Sequence, residues 1–186
     1  MIDIFLNYIL NSSAITIIVL ALLSVYFILI VWIFAYRYSE LSNIIEIEKS
    51  SLDNLINESS INPLSKLVNC VGNTTFSKEI FDVCEISLVR DESVGLSWLS
   101  IVSSTSPFIG LFGTVIGILE SFAMFSTQTK VSFSIIAPAI SEALVATAAG
   151  ILVAIFAYTF HQIITRKVYE FNTYIKSQSQ ILLSRQ

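Results

Sequence analysis

Charge is what this chain has least of. Only 13% of its 186 residues are charged, against 54% hydrophobic, and the mean hydropathy is +0.77. That balance excludes an ordinary soluble domain of this size. The basic residues form no cluster of the kind a nucleic acid needs, so no nucleic-acid partner is expected. Histidine occurs once, at His161, and cysteine twice, at Cys70 and Cys84, with no further His or Cys beside them. Such a set cannot complete a metal site, so no metal and no cofactor are expected, and the cysteines read as plain reduced thiols. Enzyme signatures are missing as well. GLFGTVIG has the wrong glycine spacing for a dinucleotide or phosphate loop, and no Ser/His or paired membrane Asp arrangement points to a protease.

What the chain does have is long apolar runs. Ala14 to Tyr36 carries no charge. At about 1.5 Å per residue it is long enough as a helix to cross a hydrocarbon core of about 30 Å. The residues before it contain Asp3 and no Lys or Arg, unlike a cleaved secretory signal, so the span is expected to be retained. Its bulk on all sides predicts a helix facing lipid, with Trp32, Tyr36 and Tyr38 near one interface. Two further spans are expected at 98–125 and 133–160. The 126–132 connection between them is so short that the two helices must form an antiparallel hairpin. The expected order is therefore a short N-terminus (1–13), a span (14–36), a soluble helical segment (37–97), the hairpin of spans, and an amphipathic helical tail (161–186).

Within the soluble segment, Leu41, Ile44, Ile45, Glu48, Leu52 and Leu55 recur at nearly helical spacing. Asn62-Pro63 breaks that helix. A second amphipathic stretch with Phe76, Ile80, Val83, Cys84 and Leu88 is expected to run as one long helix into the second span. Glu46, Glu48, Lys49, Asp53 and Glu58 follow no catalytic spacing and read as a solvated face.

The few prolines and glycines concentrate where a soluble protein would not put them. In the second span Ser103, Pro107, Gly110, Thr114, Gly117 and Ser121 fall at helical spacing, and Gly113 adds a second small residue four before Gly117. In the third, Ala143, Thr147, Gly150, Ala154 and Ala157 repeat the pattern. Membrane helices lack a hydrophobic drive toward one another and approach through such small-residue stripes, so the two spans are expected to pack on each other.

Orientation follows from the basic residues: Arg37, Arg90, Arg166 and Lys167 flank the spans on one side and only Lys130 on the other. The first side is then the cytoplasm, with the N-terminus and the 126–132 loop outside.

Glu142 most needs explaining. A carboxylate this deep in a span costs about 2.5–3.5 kcal/mol on insertion scales and usually faces a bundle interior or an aqueous cavity. A purely structural role, accepting hydrogen bonds that cross-link helices, stays open. Thr147 stands about 140° around the helix from Glu142, so the two do not point the same way. Thr114 and Thr147 have a plain alternative too, since a threonine hydroxyl often bonds its own i−4 carbonyl. Glu120 and His161 read as interfacial residues.

The stretch Ser106-Pro107-Phe108-Ile109-Gly110-Leu111-Phe112-Gly113-Thr114-Val115-Ile116-Gly117-Ile118, followed by Ala137-Pro138-Ala139-Ile140-Ser141-Glu142-Ala143-Leu144-Val145-Ala146-Thr147-Ala148-Ala149-Gly150-Ile151, resembles the paired membrane motifs of the TolQ/ExbB family, more distantly related to MotA. The likeness covers about Ser103 to Ala157. It implies an all-α membrane protein with three transmembrane helices and long cytoplasmic helical extensions, assembled as a ring, usually a homopentamer. It also implies a proton-channel and stator subunit in the bacterial inner membrane. The implied partners are a TolR/ExbD-like single-pass protein with a membrane aspartate and a TolA/TonB-like protein, besides further copies of the chain and membrane lipid. Positions matching Thr114, Thr147 and Glu142 belong to the family's proton path. Pro107, Gly110, Gly113, Gly117, Pro138, Ala143, Gly150 and Ala154 are expected to serve helix packing. Phe156 stands where the family commonly has proline, His161-Gln162 where it has Tyr-Asn, and Glu120 where it usually has Asn or His. The short N-terminus and the tail ending Ile181-Leu182-Leu183-Ser184-Arg185-Gln186 look more like TolQ, which implies the Tol-Pal system of envelope maintenance at division. An ExbB-like role in TonB-dependent import, or a scaffold that conducts nothing, is the alternative.

Overall fold

The computed structural model describes residues 14–57, 62–72, 77–125 and 133–185, and among them the structure is all helix and turn. The helices are α1 (Ala14–Asn57), α2 (Lys66–Val71), α3 (Lys78–Glu92), α4 (Leu96–Phe125) and α5 (Phe133–Ser184). Three of them, α1, α4 and α5, hold windows long and apolar enough to cross a membrane. The expected N-terminal segment 1–13, the 126–132 loop with Lys130, and Phe76 lie outside the described residues. Pro107 and Pro138 both sit inside continuous helices.

Two compact units make up the chain, the first from Met1–Trp32 with Trp98–Phe160, the second from Ile33–Ser97 with His161–Gln186. In the first, α1 turns Thr16, Val19, Leu23 and Ile30 inward, each at most 6% exposed, while Ile18, Val25, Ile28 and Trp32 face out. The ring of Phe156 meets that of Phe27 edge-on, with centroids 5.5 Å apart. An aromatic contact thus joins α5 to α1 at Phe156.

The second unit has an apolar core of Ile45, Leu67, Val71, Phe81, Cys84, Phe171 and Ile175. At its polar heart is Glu48, which the sequence placed on a solvated face and the structure buries completely. Its carboxylate accepts hydrogen bonds from the Lys66 backbone N–H (2.6 Å), the Ser65 hydroxyl (2.8 Å) and the Gln178 side-chain amide (2.8 Å). A carboxylate can be buried when its oxygens are satisfied in this way, and periodicity alone already put Glu48 on the apolar face. Ser51 also reaches Gln178, at 3.1 Å.

Two other expectations are corrected here. Cys70 and Cys84 are joined by a disulfide, their Cα atoms 5.9 Å apart. The pairing arises because α2 and α3 fold back on each other, a proximity that sequence spacing did not reveal. The second correction concerns α3, which does not run into the second span. It ends at Glu92, and the turn Ser93–Gly95 intervenes before α4. Gly95 has φ +92°, a conformation that side-chain-bearing residues rarely adopt, and so it stops the helix. Arg37 braces this turn by donating to the backbone carbonyl of Glu92. The buried Glu92 carboxylate takes ion pairs from Lys66 and, at 3.6 Å, from Arg37.

Candidate functional site: the hydroxyl node between α4 and α5

The first unit brings the two small-residue stripes together. A β-carbon placed on Gly110 would lie 2.7 Å from the carbonyl oxygen of Ala146 and 3.0 Å from the Cα of Thr147. One placed on Gly150 would lie 2.5 Å from the carbonyl oxygen of Ser106. Backbone therefore meets backbone at this crossing, which only glycine permits. Toward one side, Gly113 and Gly117 also receive α1. A β-carbon on Gly113 would approach Val19 Cγ1 at 3.0 Å, and one on Gly117 would approach Thr16 Oγ1 at 3.6 Å.

Thr114 and Thr147 meet at this crossing. Thr114 Oγ1 lies 2.9 Å from the carbonyl oxygen of Ala143, on the opposite helix, and 3.3 Å from that of Gly110, on its own. It is also hydrogen-bonded to Thr147 Oγ1. A hydroxyl has one proton to give, and a carbonyl can only accept. With the Thr114 proton on the nearer carbonyl, Thr147 must donate to Thr114. The chain of donors thus runs Thr147 to Thr114 to Ala143 C=O, and what Thr147 still offers is an acceptor oxygen. Thr114 is 7% exposed, Thr147 half-buried.

Glu142 is half-buried on α5. Its neighbour Ala143 supplies the carbonyl that Thr114 uses, so the node and the carboxylate share one turn of backbone. Five residues separate Glu142 from Thr147, about 7.5 Å along the axis, with the two side chains on different sides of α5. Ala143 and Ala154 are closed off in the helix contact, and Pro107 and Pro138 are not fully buried.

Three residues in this contact were not singled out beforehand. Ser106 and Ala146 are 0% exposed, and Thr16 on α1 is 2% exposed. The buried line along α4 runs Val102, Ser106, Gly110, Gly113, Gly117 and Ser121, with Ser103 and Pro107 at its edge. Ser106 lies four residues before Gly110, so its spacing could have marked it. Thr16 looked like one hydroxyl in a lipid-facing helix, and nothing in the sequence distinguished it.

A helix pair with glycine-mediated backbone contact, a buried hydroxyl node and a carboxylate within the span defines a polytopic membrane protein with polar groups set inside its helix bundle. Over residues 51–177 the chain matches the MotA/TolQ/ExbB proton channel family, and it belongs to that family. It is 40% identical, over the full length of both chains, to biopolymer transport protein ExbB-like 1 of Helicobacter pylori strain 26695. It is 38% identical over 95 residues to the biopolymer transport protein ExbB of Pseudomonas putida, covering 50% of this chain and 29% of that one. It is 44% identical over 73 residues to the Tol-Pal system protein TolQ of Pseudomonas aeruginosa, covering 38% of this chain and 32% of that one.

Proposed function

We propose that this chain is the proton-channel subunit of an inner-membrane complex that turns proton flow into movement of a partner protein. The observation that carries this reading is the hydroxyl node of Thr114 and Thr147, which uses the carbonyl of the residue next to Glu142, in a chain of a proton channel family. In this reading Glu142 is the group that takes and gives the proton. Thr147 and Thr114 bind water or orient the path, because a threonine hydroxyl can pass a hydrogen bond but cannot hold a proton at ordinary pH. Gly110, Gly113, Gly117, Ala143, Gly150 and Ala154, with Pro107 and Pro138, keep the lining helices in register. The N-terminus and the 126–132 loop are periplasmic, and the 37–97 segment and the tail are cytoplasmic.

In this reading the relay uses a second acid that comes from a partner protein. A ring of copies, five in the family's usual form, would surround the membrane helix of a single-pass TolR/ExbD-like partner that brings an aspartate. Protonation of that aspartate would bias two arrangements of helix against ring and drive a TolA/TonB-like protein.

Of the two cellular roles, likeness over the whole length to an ExbB-like transport protein supports energised import. Likeness over 73 residues to a Tol-Pal system protein TolQ supports a TolQ-like role in the Tol-Pal system instead. Deleting the gene separates them: failure to take up iron chelates marks the first role, and detergent sensitivity with defective division marks the second. The channel reading itself is tested by proton uptake into liposomes. Chain plus partner should conduct, and the chain alone should be nearly closed. Flux through the chain alone that Glu142→Gln removes would make it a self-sufficient channel and refute the motor-subunit reading.

A further inference from the structure

The second unit holds a feature that proton conduction does not use. We propose that Cys70 and Cys84 are a redox-responsive clip, closed by low-molecular-weight disulfides and opened by low-molecular-weight thiols. The inference rests on the cytoplasmic placement of this unit. In a compartment kept reducing, a disulfide is uncommon, and where one forms it is usually transient, catalytic or redox-sensing.

The two sulfurs differ in access. Cys84 is 4% exposed, enclosed with Leu67, Val71, Phe81 and Phe171, while Cys70, one residue before the end of α2, is exposed. Exchange therefore begins at Cys70. On closing, the Cys70 thiolate attacks the external disulfide and releases one thiol, leaving a mixed disulfide. The Cys84 thiolate then attacks the Cys70 sulfur and releases the second thiol. Two electrons pass from the cysteines to the external disulfide, and the two protons they give up end on the released thiols. Opening is the reverse, with an external thiolate attacking Cys70.

What the clip holds is α2, a helix of six residues, too short to persist without tertiary support. Its N-terminal end is tied by Ser65 and the Lys66 N–H to Glu48 and by the Lys66 ammonium to Glu92. Its C-terminal end has the disulfide and the burial of Val71, followed by Gly72 at φ +57°. Reduction leaves the first tie intact and loosens the second. The same Glu92 meets Arg37 at the turn that precedes α4, so α2 adjoins the contact that braces this turn.

Because the chain has only two cysteines, their state can be read directly on the full-length protein in cells. Acid-quenched cells alkylated with a maleimide polymer should show both cysteines labelled without stress, neither after a thiol oxidant such as diamide, and both again after its removal. Purified full-length protein in nanodiscs, equilibrated with reduced or oxidised glutathione, should be cut severalfold faster between α2 and α3 when reduced. Cys70→Ser should remove the difference between the two buffers. A bridge already closed in unstressed cells, a pair that stays open under diamide, or equal proteolysis of the wild type in both buffers would each overturn the proposal. An impermeant thiol reagent on a Ser59→Cys, Cys70→Ser, Cys84→Ser chain separates this failure from a wrong orientation, since labelling from outside would refute the placement instead.

Discussion

Replacing Gly150 with alanine puts a methyl carbon 2.5 Å from the carbonyl oxygen of Ser106, 3.0 Å from Gly110 Cα and 3.2 Å from Gly110 N. All three are backbone atoms of α4, so no side chain can rotate out of the way. Ordinary contact lies near 3.5 Å, and the helices must therefore separate by up to about 1 Å. A gap of that size forfeits a quarter to a half of each dispersion contact along the crossing and stretches the 2.9 Å bond from Thr114 to Ala143. Overpacking of this kind costs about 1–3 kcal/mol. Alanine's better helix propensity returns up to about 1 kcal/mol. The expected net loss is about 1–2 kcal/mol, a factor of roughly 5–30 in the folded population. Gly117→Ala is the internal control, because its nearest neighbours are the Ala143 β-carbon at 3.2 Å and Thr16 Oγ1 at 3.6 Å, and a shift of a few tenths of an ångström accommodates it. Thermal unfolding of the purified protein in detergent, followed by tryptophan fluorescence, should rank Gly150→Ala below Gly117→Ala and both at or below wild type. A Gly150→Ala protein as stable as wild type would refute the close helix crossing.

Thr114→Val keeps the shape but removes the donor to Ala143 and the acceptor for Thr147. A hydrogen bond in a membrane interior averages about 0.6 kcal/mol, so protein levels should hold while partner-dependent proton uptake falls; a matching drop in both would mean that the hydroxyl is structural. Glu142→Ala should abolish energised function at normal protein level, as scored by growth under the deletion strain's defect, and full function would remove Glu142 from the path. Glu48→Ala strands the Lys66 N–H, the Ser65 hydroxyl and the Gln178 amide, at about 1–3 kcal/mol per buried group left unsatisfied. It should lower the unfolding temperature more than Glu48→Gln, which retains an acceptor oxygen, and equal effects would contradict the buried network. With both native cysteines replaced, Thr129→Cys should react with an impermeant reagent added to intact cells and Ser59→Cys should not.

Sequence alone was enough to determine that this is a three-span helical membrane protein and which faces of its second and third spans would meet. The reason is physical: spans are defined by the length of uncharged runs, and contact faces by small residues at helical spacing, both local properties of the chain. Glu142 stands out as a candidate for the same reason, since one carboxylate among apolar residues has a cost that needs no partner to recognise. What tertiary structure decided were matters of distance between remote positions. Glu48 is buried because Ser65, Lys66 and Gln178 surround it, with Gln178 130 positions away in the chain. Cys70 and Cys84 are bridged because α2 turns back on α3, and Ser106 rather than Pro107 lies against Gly150 because the rotation of α4 at the crossing is set by its neighbours. The direction of the proton on Thr147 belongs there too, because it depends on a carbonyl that only the packed α5 presents to Thr114.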